Sequence, residues 1–207
     1  MRTTGPAGAP TVVCVDGGTA RDVGGTWSAS VEWLVGRLVP AFPALRFAEV
    51  RYRTRSWHRF ESCREDARSA VREARAPRTL LVGFSMGGAV AVGVADEPSV
   101  EAVVGLAPWL PDPLSVEPLR GKRLVVLHGT LDRRLAGIPG VSPASSRRGF
   151  ERARALGVSG TYTLIRGAPH AVALRAPWGA AVPVPGSGRW VRHVAAELRR
   201  FADGGPD

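Results

Sequence analysis

A serine in a tight, glycine-rich turn is the strongest chemical candidate in the sequence. Ser85 lies in residues 83–88, Gly-Phe-Ser-Met-Gly-Gly, directly after the apolar run at residues 79–82. A strand that ends in Gly-x-Ser-x-Gly and continues into a small-residue helix places the serine at the tip of a sharp turn. The turn forces unfavourable backbone angles on the serine and needs glycines where side chains would collide. We therefore predict that Ser85 presents its hydroxyl as a nucleophile.

A histidine and an aspartate follow Ser85 in the order that activation of a serine requires. A serine hydroxyl is a poor nucleophile at neutral pH and needs a base within hydrogen-bond reach. His170 and Asp132 each lie just past the carboxyl end of a predicted strand, the edge where open α/β sheets place their sites. We predict that His170 takes the proton of Ser85 and that Asp132 orients and stabilises the imidazole.

Three other polar residues near predicted strand ends have alternative interpretations. Asp112 is the rival acid, because it lies in the loop after the preceding strand. His128 stands at a strand end before Asp132, and we interpret it as packing or hydrogen-bonding locally. We interpret Asp16 as a turn residue that orders the following loop, without a catalytic role.

Two backbone N–H groups are the expected donors to a negatively charged tetrahedral oxygen. One belongs to Met86, the residue after Ser85, at the start of the next helix. The other is expected from Gly18, in the turn after the first predicted strand. Losing one such donor typically lowers the rate by about 10²–10³.

Short apolar runs alternate with helical patterns along the chain, which predicts an α/β fold with a parallel sheet. We expect about six mostly parallel strands with helices on both faces, in one domain over residues 1–207, with 1–10 and 203–207 as flexible tails. The predicted strands are 11–15, 46–52, 79–84, 100–106, 123–127 and 161–165, and the predicted helices are 28–39, 61–76, 86–95, 145–156 and 188–201.

The composition favours an ordinary globular protein. Of 207 residues, 44% are apolar, and no stretch approaches the length of a secretory or membrane-spanning segment, so we expect a cytoplasmic protein without a membrane partner. Cys14 and Cys63 match no metal or disulfide framework, and we expect both to be reduced and structural. We expect no metal and no cofactor.

The net charge of +10 is carried almost entirely by arginine, with Lys122 as the only lysine. The charge could attract an anionic partner such as nucleic acid, an acyl carrier or a phosphorylated substrate. It also fits a compositional bias, since Arg, Ala, Gly, Pro and Val are abundant together. The arginines are scattered and no nucleic-acid-binding motif accompanies them, so we favour the bias and expect no nucleic-acid partner.

Six segments carry a resemblance to a known family. Taken together they resemble the α/β-hydrolase superfamily over nearly the whole chain, and more narrowly the short serine hydrolases common in actinobacteria. The resemblance implies an α/β-hydrolase fold and a Ser85, Asp132, His170 triad. It departs from the usual pattern where Asp16 replaces a histidine and where residues 136–143 lengthen the loop after Asp132. The segments are 15–19 (Val-Asp-Gly-Gly-Thr), 50–53 (Val-Arg-Tyr-Arg), 83–88, 106–110 (Leu-Ala-Pro-Trp-Leu), 128–132 (His-Gly-Thr-Leu-Asp) and 167–170 (Gly-Ala-Pro-His).

The predicted site is open and partly apolar. Residues 109–122 are too few for the helical lid that many members of the superfamily insert there, so we expect a minimal lid or none. Four residues on loops at the predicted edge would either form an apolar wall for the substrate or cap the core: Trp57, Trp109, Leu135 and Trp178. Three arginines there could hold an anionic group, although we favour solvent exposure for them: Arg53, Arg55 and Arg133.

These observations predict hydrolysis of a small-molecule carboxylic ester or thioester, including a carrier-bound acyl group, through an acyl-enzyme on Ser85. An acyltransferase or cyclase on the same scaffold is the alternative, and a non-catalytic ligand-binding member is a third. A monomer and a homodimer both fit the sequence.

Overall fold

Buried apolar strands form the centre of the molecule in the computed structural model, which describes residues 1–132 and 140–204. In these residues the strands are β1 (Arg2–Thr4), β2 (Thr11–Val15), β3 (Val23–Gly24), β4 (Arg46–Glu49), β5 (Thr54–Arg55), β6 (Thr79–Phe84), β7 (Val100–Leu106), β8 (Arg123–Gly129), β9 (Ser159–Ile165), β10 (Ala173–Arg175) and β11 (Ala181–Pro183). Seven of these described strands form the main sheet, in the order β1-β4-β2-β6-β7-β8-β9. All neighbours in this sheet are parallel except β1 and β4.

Helices cover both faces of this sheet, so its central strands are buried except near the starts of β7 and β8. The described helices are α1 (Ala29–Leu38), α2 (Phe60–Ala74), α3 (Met86–Gly93), α4 (Pro143–Ala155) and α5 (Ser187–Ala202). Because successive strand side chains point to opposite faces, β2 places Val12 and Cys14 against α1 and α5, and Val13 and Val15 against the other three helices. The continuous apolar runs of β6, β7 and β8 follow from this double coverage.

The parallel strands bring four polar residues to one edge of the sheet. Asp16 follows β2, Ser85 follows β6, Asp132 lies beyond β8 and His170 lies beyond β9. Backbone bonds join the last two loops, since the Thr130 N–H donates to Ile165 O at 3.1 Å and the Leu131 N–H to Ala168 O at 3.0 Å. The fold therefore holds the loops of the predicted acid and base as one unit.

The N-terminal residues differ from the prediction of a flexible tail. Residues 2–4 form the antiparallel edge strand β1, with Arg2 opposite Glu49 and Thr4 opposite Phe47. The Arg2 guanidinium donates to both carboxylate oxygens of Glu49, each at 2.7 Å. A three-residue strand has no apolar alternation to reveal it, and this contact becomes visible only once β4 is placed.

Other differences concern short elements. The predicted strand 46–52 ends at Glu49, and residues 54–55 pair instead with residues 23–24 in a two-stranded antiparallel unit, the β3–β5 ribbon. Residues 173–183, which lie outside the predicted helices and strands, include the β10–β11 hairpin. Between β7 and β8 the chain makes a single 3₁₀ turn, Glu117–Leu119.

Both cysteines are buried and unpaired, and burial raises the pKa of the Cys14 thiol. No helix in the described ranges has the length and apolar character needed to cross a lipid bilayer.

Candidate active site

Ser85 sits in a strained turn between β6 and α3. Its φ of 55° and ψ of −119° lie outside the regions that L-residues favour, at a typical cost of about 1–3 kcal/mol. A side chain at Gly83 would place its Cβ 2.3 Å from Gly87 O, and one at Gly87 would meet Val15 O at 2.3 Å. Only glycine permits this approach of strand and helix, and the Ser85 N–H donates to Leu106 O at 2.9 Å to fix the turn.

The predicted nucleophile, base and acid are brought together by the fold. His170 Nε2 lies 3.1 Å from Ser85 Oγ, and His170 Nδ1 lies 2.7 Å from Asp132 Oδ2. Because a carboxylate only accepts hydrogen bonds, Nδ1 carries the proton and Nε2 is free to accept from the serine hydroxyl. The Phe84 ring packs against the imidazole with centroids 5.1 Å apart. The arrangement can therefore transfer a proton from Ser85 to His170.

Asp132 is buried and takes hydrogen bonds from three directions. Oδ2 accepts from His170 and also lies 2.9 Å from His128 Nε2, while Oδ1 accepts from the Val141 N–H at 3.0 Å. Burial alone would raise the pKa of Asp132, but the hydrogen bonds from His128 and His170 outweigh it and hold the pKa below its ordinary value. The carboxylate therefore stays ionised beside the imidazole.

His128 contributes more to this site than its sequence position indicated. Nε2 lies 2.9 Å from both Asp132 Oδ2 and Val141 O, so it carries the proton, and Nδ1 accepts from the Ser146 hydroxyl at 2.8 Å. Ser146 Oγ in turn lies 2.9 Å from the Tyr162 hydroxyl. His128 makes local hydrogen bonds, as expected, and one of them is to Asp132, the candidate acid.

Asp112, the alternative acid, lies away from His170. Its carboxylate is exposed and pairs with Arg148 at 3.2 Å and with Arg152 at 3.1 Å, both on α4. The side chain is therefore held at the surface of α4, and the contact with the imidazole belongs to Asp132.

The Gly17-Gly18 turn packs directly against the elbow. A Cβ at Gly18 would lie 2.2 Å from Trp57 Cδ1 and 2.6 Å from Met86 Sδ, and one at Gly17 would lie 3.3 Å from Ser85 Cβ. Met86 is the first residue of α3, and the first N–H groups of a helix have no partner within it. Residues 17–18 and Met86 therefore lie next to one another beside Ser85.

Asp16 connects this turn to the residues before α1 and to Tyr52 by hydrogen bonds. Its buried carboxylate accepts from the Ser28 N–H at 2.7 Å and from the Ser28 hydroxyl at 2.8 Å, and its carbonyl accepts from the Tyr52 hydroxyl at 2.9 Å. Burial raises the pKa of Asp16 to about 6, against the hydrogen bonds from Ser28 and the charge of Arg55, which lower it. Asp16 thus joins the start of α1 to the turn, as the interpretation of a loop-ordering residue requires.

A cleft of about 470 Å³ opens beside Ser85 and His170. Its walls come from the Gly17-Gly18 turn, the β3–β5 ribbon, the start of α1 and strand β10. The described residues that line it include Trp27 and Arg55, and both hold a buried side-chain N–H without a hydrogen-bond partner in the structure. Sequence reasoning missed Trp27 entirely, and two-residue strands gave no periodicity that would have placed Arg55.

The four predicted pocket residues are not among the described residues that line this cleft. Trp57 packs on Gly18, Trp109 lines a separate cleft with Asp132 and meets Phe60 edge-on at 6.2 Å, and Trp178 is 76% exposed on the β10–β11 hairpin. Leu135 falls outside the described ranges, as does Arg133. The tryptophan found among the described residues that line the cleft is Trp27, which was not one of the predicted residues.

Comparison with known proteins gives matches of structure only. No family model matches the chain, and no curated protein matches its sequence. The esterase PE8 superposes with a TM-score of 0.66 at 15% identity, over 96% of this chain and 97% of that one. The chain has the α/β-hydrolase fold. An α/β serine hydrolase homologue from Coxiella burnetii gives 0.66 at 15% identity, over 95% and 89%.

A third match with this fold is a dienelactone hydrolase-like promiscuous phosphotriesterase from metagenomic libraries, with a TM-score of 0.63 at 14% identity over 95% of this chain and 87% of that one. At these identities the likeness is one of fold, and the chemistry has to be argued from the site.

Proposed function

We propose that the protein is a serine hydrolase that cleaves a carboxylic ester or thioester through an acyl-enzyme on Ser85. The observation that carries the proposal is the hydrogen-bonded chain from Ser85 Oγ to His170 Nε2 at 3.1 Å and from His170 Nδ1 to Asp132 Oδ2 at 2.7 Å. Ser85 and His170 line a cleft in which a substrate carbonyl can reach the serine.

In the proposed reaction, Ser85 Oγ attacks the carbonyl carbon as its proton passes to His170 Nε2. Asp132 stabilises the resulting imidazolium, and the N–H groups of Met86 and Gly18 donate to the oxyanion. His170 then gives its proton to the departing alkoxide or thiolate, which leaves the acyl group on Ser85. In the second half, a water molecule deprotonated by His170 attacks the acyl carbon. The bond from that carbon to Ser85 Oγ then breaks, the carboxylic acid leaves, and His170 returns the proton to Oγ.

Replacement of the serine tests this proposal. Ser85→Ala removes the nucleophile, so we expect hydrolysis of 4-nitrophenyl acetate to fall at least about 10³-fold and fluorophosphonate labelling to disappear. Circular dichroism of the variant checks that the fold is kept. Activity and labelling equal to those of the unmodified protein would refute the mechanism.

The assignment of Asp132 as the acid is tested against a matched substitution at Asp112. Asp132→Asn leaves the imidazole in the wrong tautomer, and the expected loss in kcat is about 10⁴-fold. Asp112→Asn should leave kcat unchanged, because its carboxylate pairs with α4. If the second variant loses activity and the first does not, Asp132 is not the acid.

The alternative acyltransferase or cyclase activity is separated from hydrolysis by the fate of the acyl-enzyme. A stoichiometric burst of 4-nitrophenol followed by very slow turnover would show that water is a poor acceptor. Steady turnover without a burst plateau supports hydrolysis.

A further inference from the structure

We propose that Arg55 binds an anionic group of the substrate, a carboxylate, in the cleft beside Ser85. The proposal rests on the serine hydrolase activity proposed above and names the class of substrate. The structural basis is an arginine whose Nε has no hydrogen-bond partner and that shares one cleft with Ser85 and His170.

The guanidinium of Arg55 is placed by the β3–β5 ribbon. Arg55 pairs with Val23 in the ribbon, and its carbonyl accepts from the Thr19 hydroxyl at 2.9 Å. The Nε atom is buried, and no acceptor reaches it in the structure. Buried N–H groups of this kind are nearly always satisfied. A carboxylate bound in the cleft would supply the missing acceptor after a rotation of the Arg55 side chain toward it.

Other charged groups around the cleft are already neutralised. Arg175 also lines the cleft, but its guanidinium donates to both carboxylate oxygens of Glu32, at 3.1 and 3.0 Å. The described residues that line the cleft include no aspartate or glutamate. Asp16 lies behind the wall within electrostatic range of Arg55, and its carboxylate accepts two hydrogen bonds from Ser28. Of the two arginines among the described residues that line the cleft, Arg55 is therefore the one not hydrogen-bonded to a carboxylate.

A second unfilled donor supports the same ligand chemistry. Trp27 Nε1 is buried without a partner and belongs to the same cleft. The guanidinium of Arg51 lies over the Trp27 ring, 5.1 Å from its centroid, which adds positive charge at this wall. A planar carboxylate suits a guanidinium fork and accepts additional N–H donors at its free lone pairs.

The test compares esters that differ by one charge. Mono-4-nitrophenyl glutarate and 4-nitrophenyl valerate place a carboxylate or a methyl group at the same position of the acyl chain. The esters 3-carboxyphenyl butyrate and 3-carbamoylphenyl butyrate vary the charge on the leaving group. The measured quantity is the ratio of kcat/KM for the anionic ester to that for its neutral match, in the unmodified protein and in Arg55→Gln.

We expect Arg55→Gln to lower this ratio by about 10- to 100-fold for one of the two pairs, as loss of a charged hydrogen bond would. Arg53→Gln is the matched control, since Arg53 is exposed and pairs with Asp66 at 2.6 Å and Glu65 at 2.9 Å. That variant should keep the ratio. Equal ratios in Arg55→Gln and the unmodified protein for both pairs would overturn the carboxylate site while leaving the hydrolase proposal intact.

A binding measurement separates this inference from the catalytic one. Titration calorimetry at low ionic strength with glutarate and with neutral glutaramide needs no turnover. Binding heat that is seen with glutarate but not with glutaramide, and that disappears in Arg55→Gln, supports the site. This result holds even if no ester is cleaved and no fluorophosphonate labels Ser85. If glutarate binds no better than glutaramide and neither ester ratio changes, Arg55 does not bind the substrate.

Discussion

Asp16→Asn should make the protein more stable relative to the unmodified chain as the pH rises. The substitution keeps an acceptor for the Ser28 N–H and removes a carboxylate that is buried behind the Gly17-Gly18 turn. Burial raises the pKa of Asp16 from the ordinary 3.8 to about 6. The folded protein therefore holds this proton in a pH range where the unfolded chain has already lost it.

The sign and size of the effect follow from that difference. The folded state binds more protons than the unfolded state between about pH 4 and 6, so the contribution of Asp16 to stability falls as the pH rises through that window. A shift from 3.8 to about 6 corresponds to roughly 3 kcal/mol of destabilisation once the pH exceeds 6. Roughly 2 kcal/mol of this change falls between about pH 4.5 and 7.5.

The assay is urea unfolding of both proteins at about pH 4.5 and 7.5, followed by tryptophan fluorescence. The quantity of interest is the free energy of unfolding of Asp16→Asn minus that of the unmodified protein, because other titrating groups cancel in the difference. It should rise by roughly 2 kcal/mol between the two pH values, or by about 4–8 °C in Tm.

Glu117→Gln is a control of opposite sign. Glu117 is exposed, and its hydrogen bond with Arg120 lowers the pKa of its carboxyl from the ordinary 4.5. That variant should therefore lose stability relative to the unmodified protein as the pH rises toward and through 4.5, so its unfolding is also measured at about pH 3. A pH-independent difference for Asp16→Asn, or one that falls with rising pH, would refute a raised pKa at Asp16.

Two further substitutions probe the site around Ser85. Gly18→Ala should lower kcat for 4-nitrophenyl acetate by at least about 10-fold, because its Cβ would meet Trp57 at 2.2 Å and displace a proposed oxyanion donor. Gly24→Ala, whose Cβ would meet nothing within 4 Å, should leave kcat unchanged, and equal effects of the two would contradict this reasoning. His128→Ala should cost about 2–4 kcal/mol in urea unfolding, since it strips a donor from buried Asp132. His128→Gln, which keeps a donor at the Nε2 position, should recover part of that loss, and no recovery would argue against the hydrogen bond as its cause.

The elements with strong local signals were predictable from the sequence. The elbow strand was predicted at residues 79–84 and lies there, since its apolar run and its glycines are local features. The juxtaposition of Ser85, Asp132 and His170 followed from strand ends that share one edge of a parallel sheet. The order of the three residues in the chain and the common direction of the strands were sufficient to predict that they meet.

The walls of the cleft were not predictable in the same way. Arg55 sits on a two-residue strand whose partner is more than 30 residues away in the chain, and Trp27 lies in an irregular segment before α1. Such short pairings have no periodicity, and their position depends on the packed sheet beneath them. For the same reason the tryptophans chosen from loop position alone are not among the described residues that line the cleft with Ser85.

The hydrogen bond from the Val141 N–H to Asp132 Oδ1 has a consequence for how this protein can diversify. It secures the two points at which residues 133–140 join the rest of the chain, and both points are buried. The entropic cost of closing a chain segment grows only slowly with its length, so an insertion between two fixed ends costs little. Insertions into the sequence between Asp132 and Val141 should therefore leave the acid in place, so this stretch can vary among descendants of the protein without loss of the triad geometry.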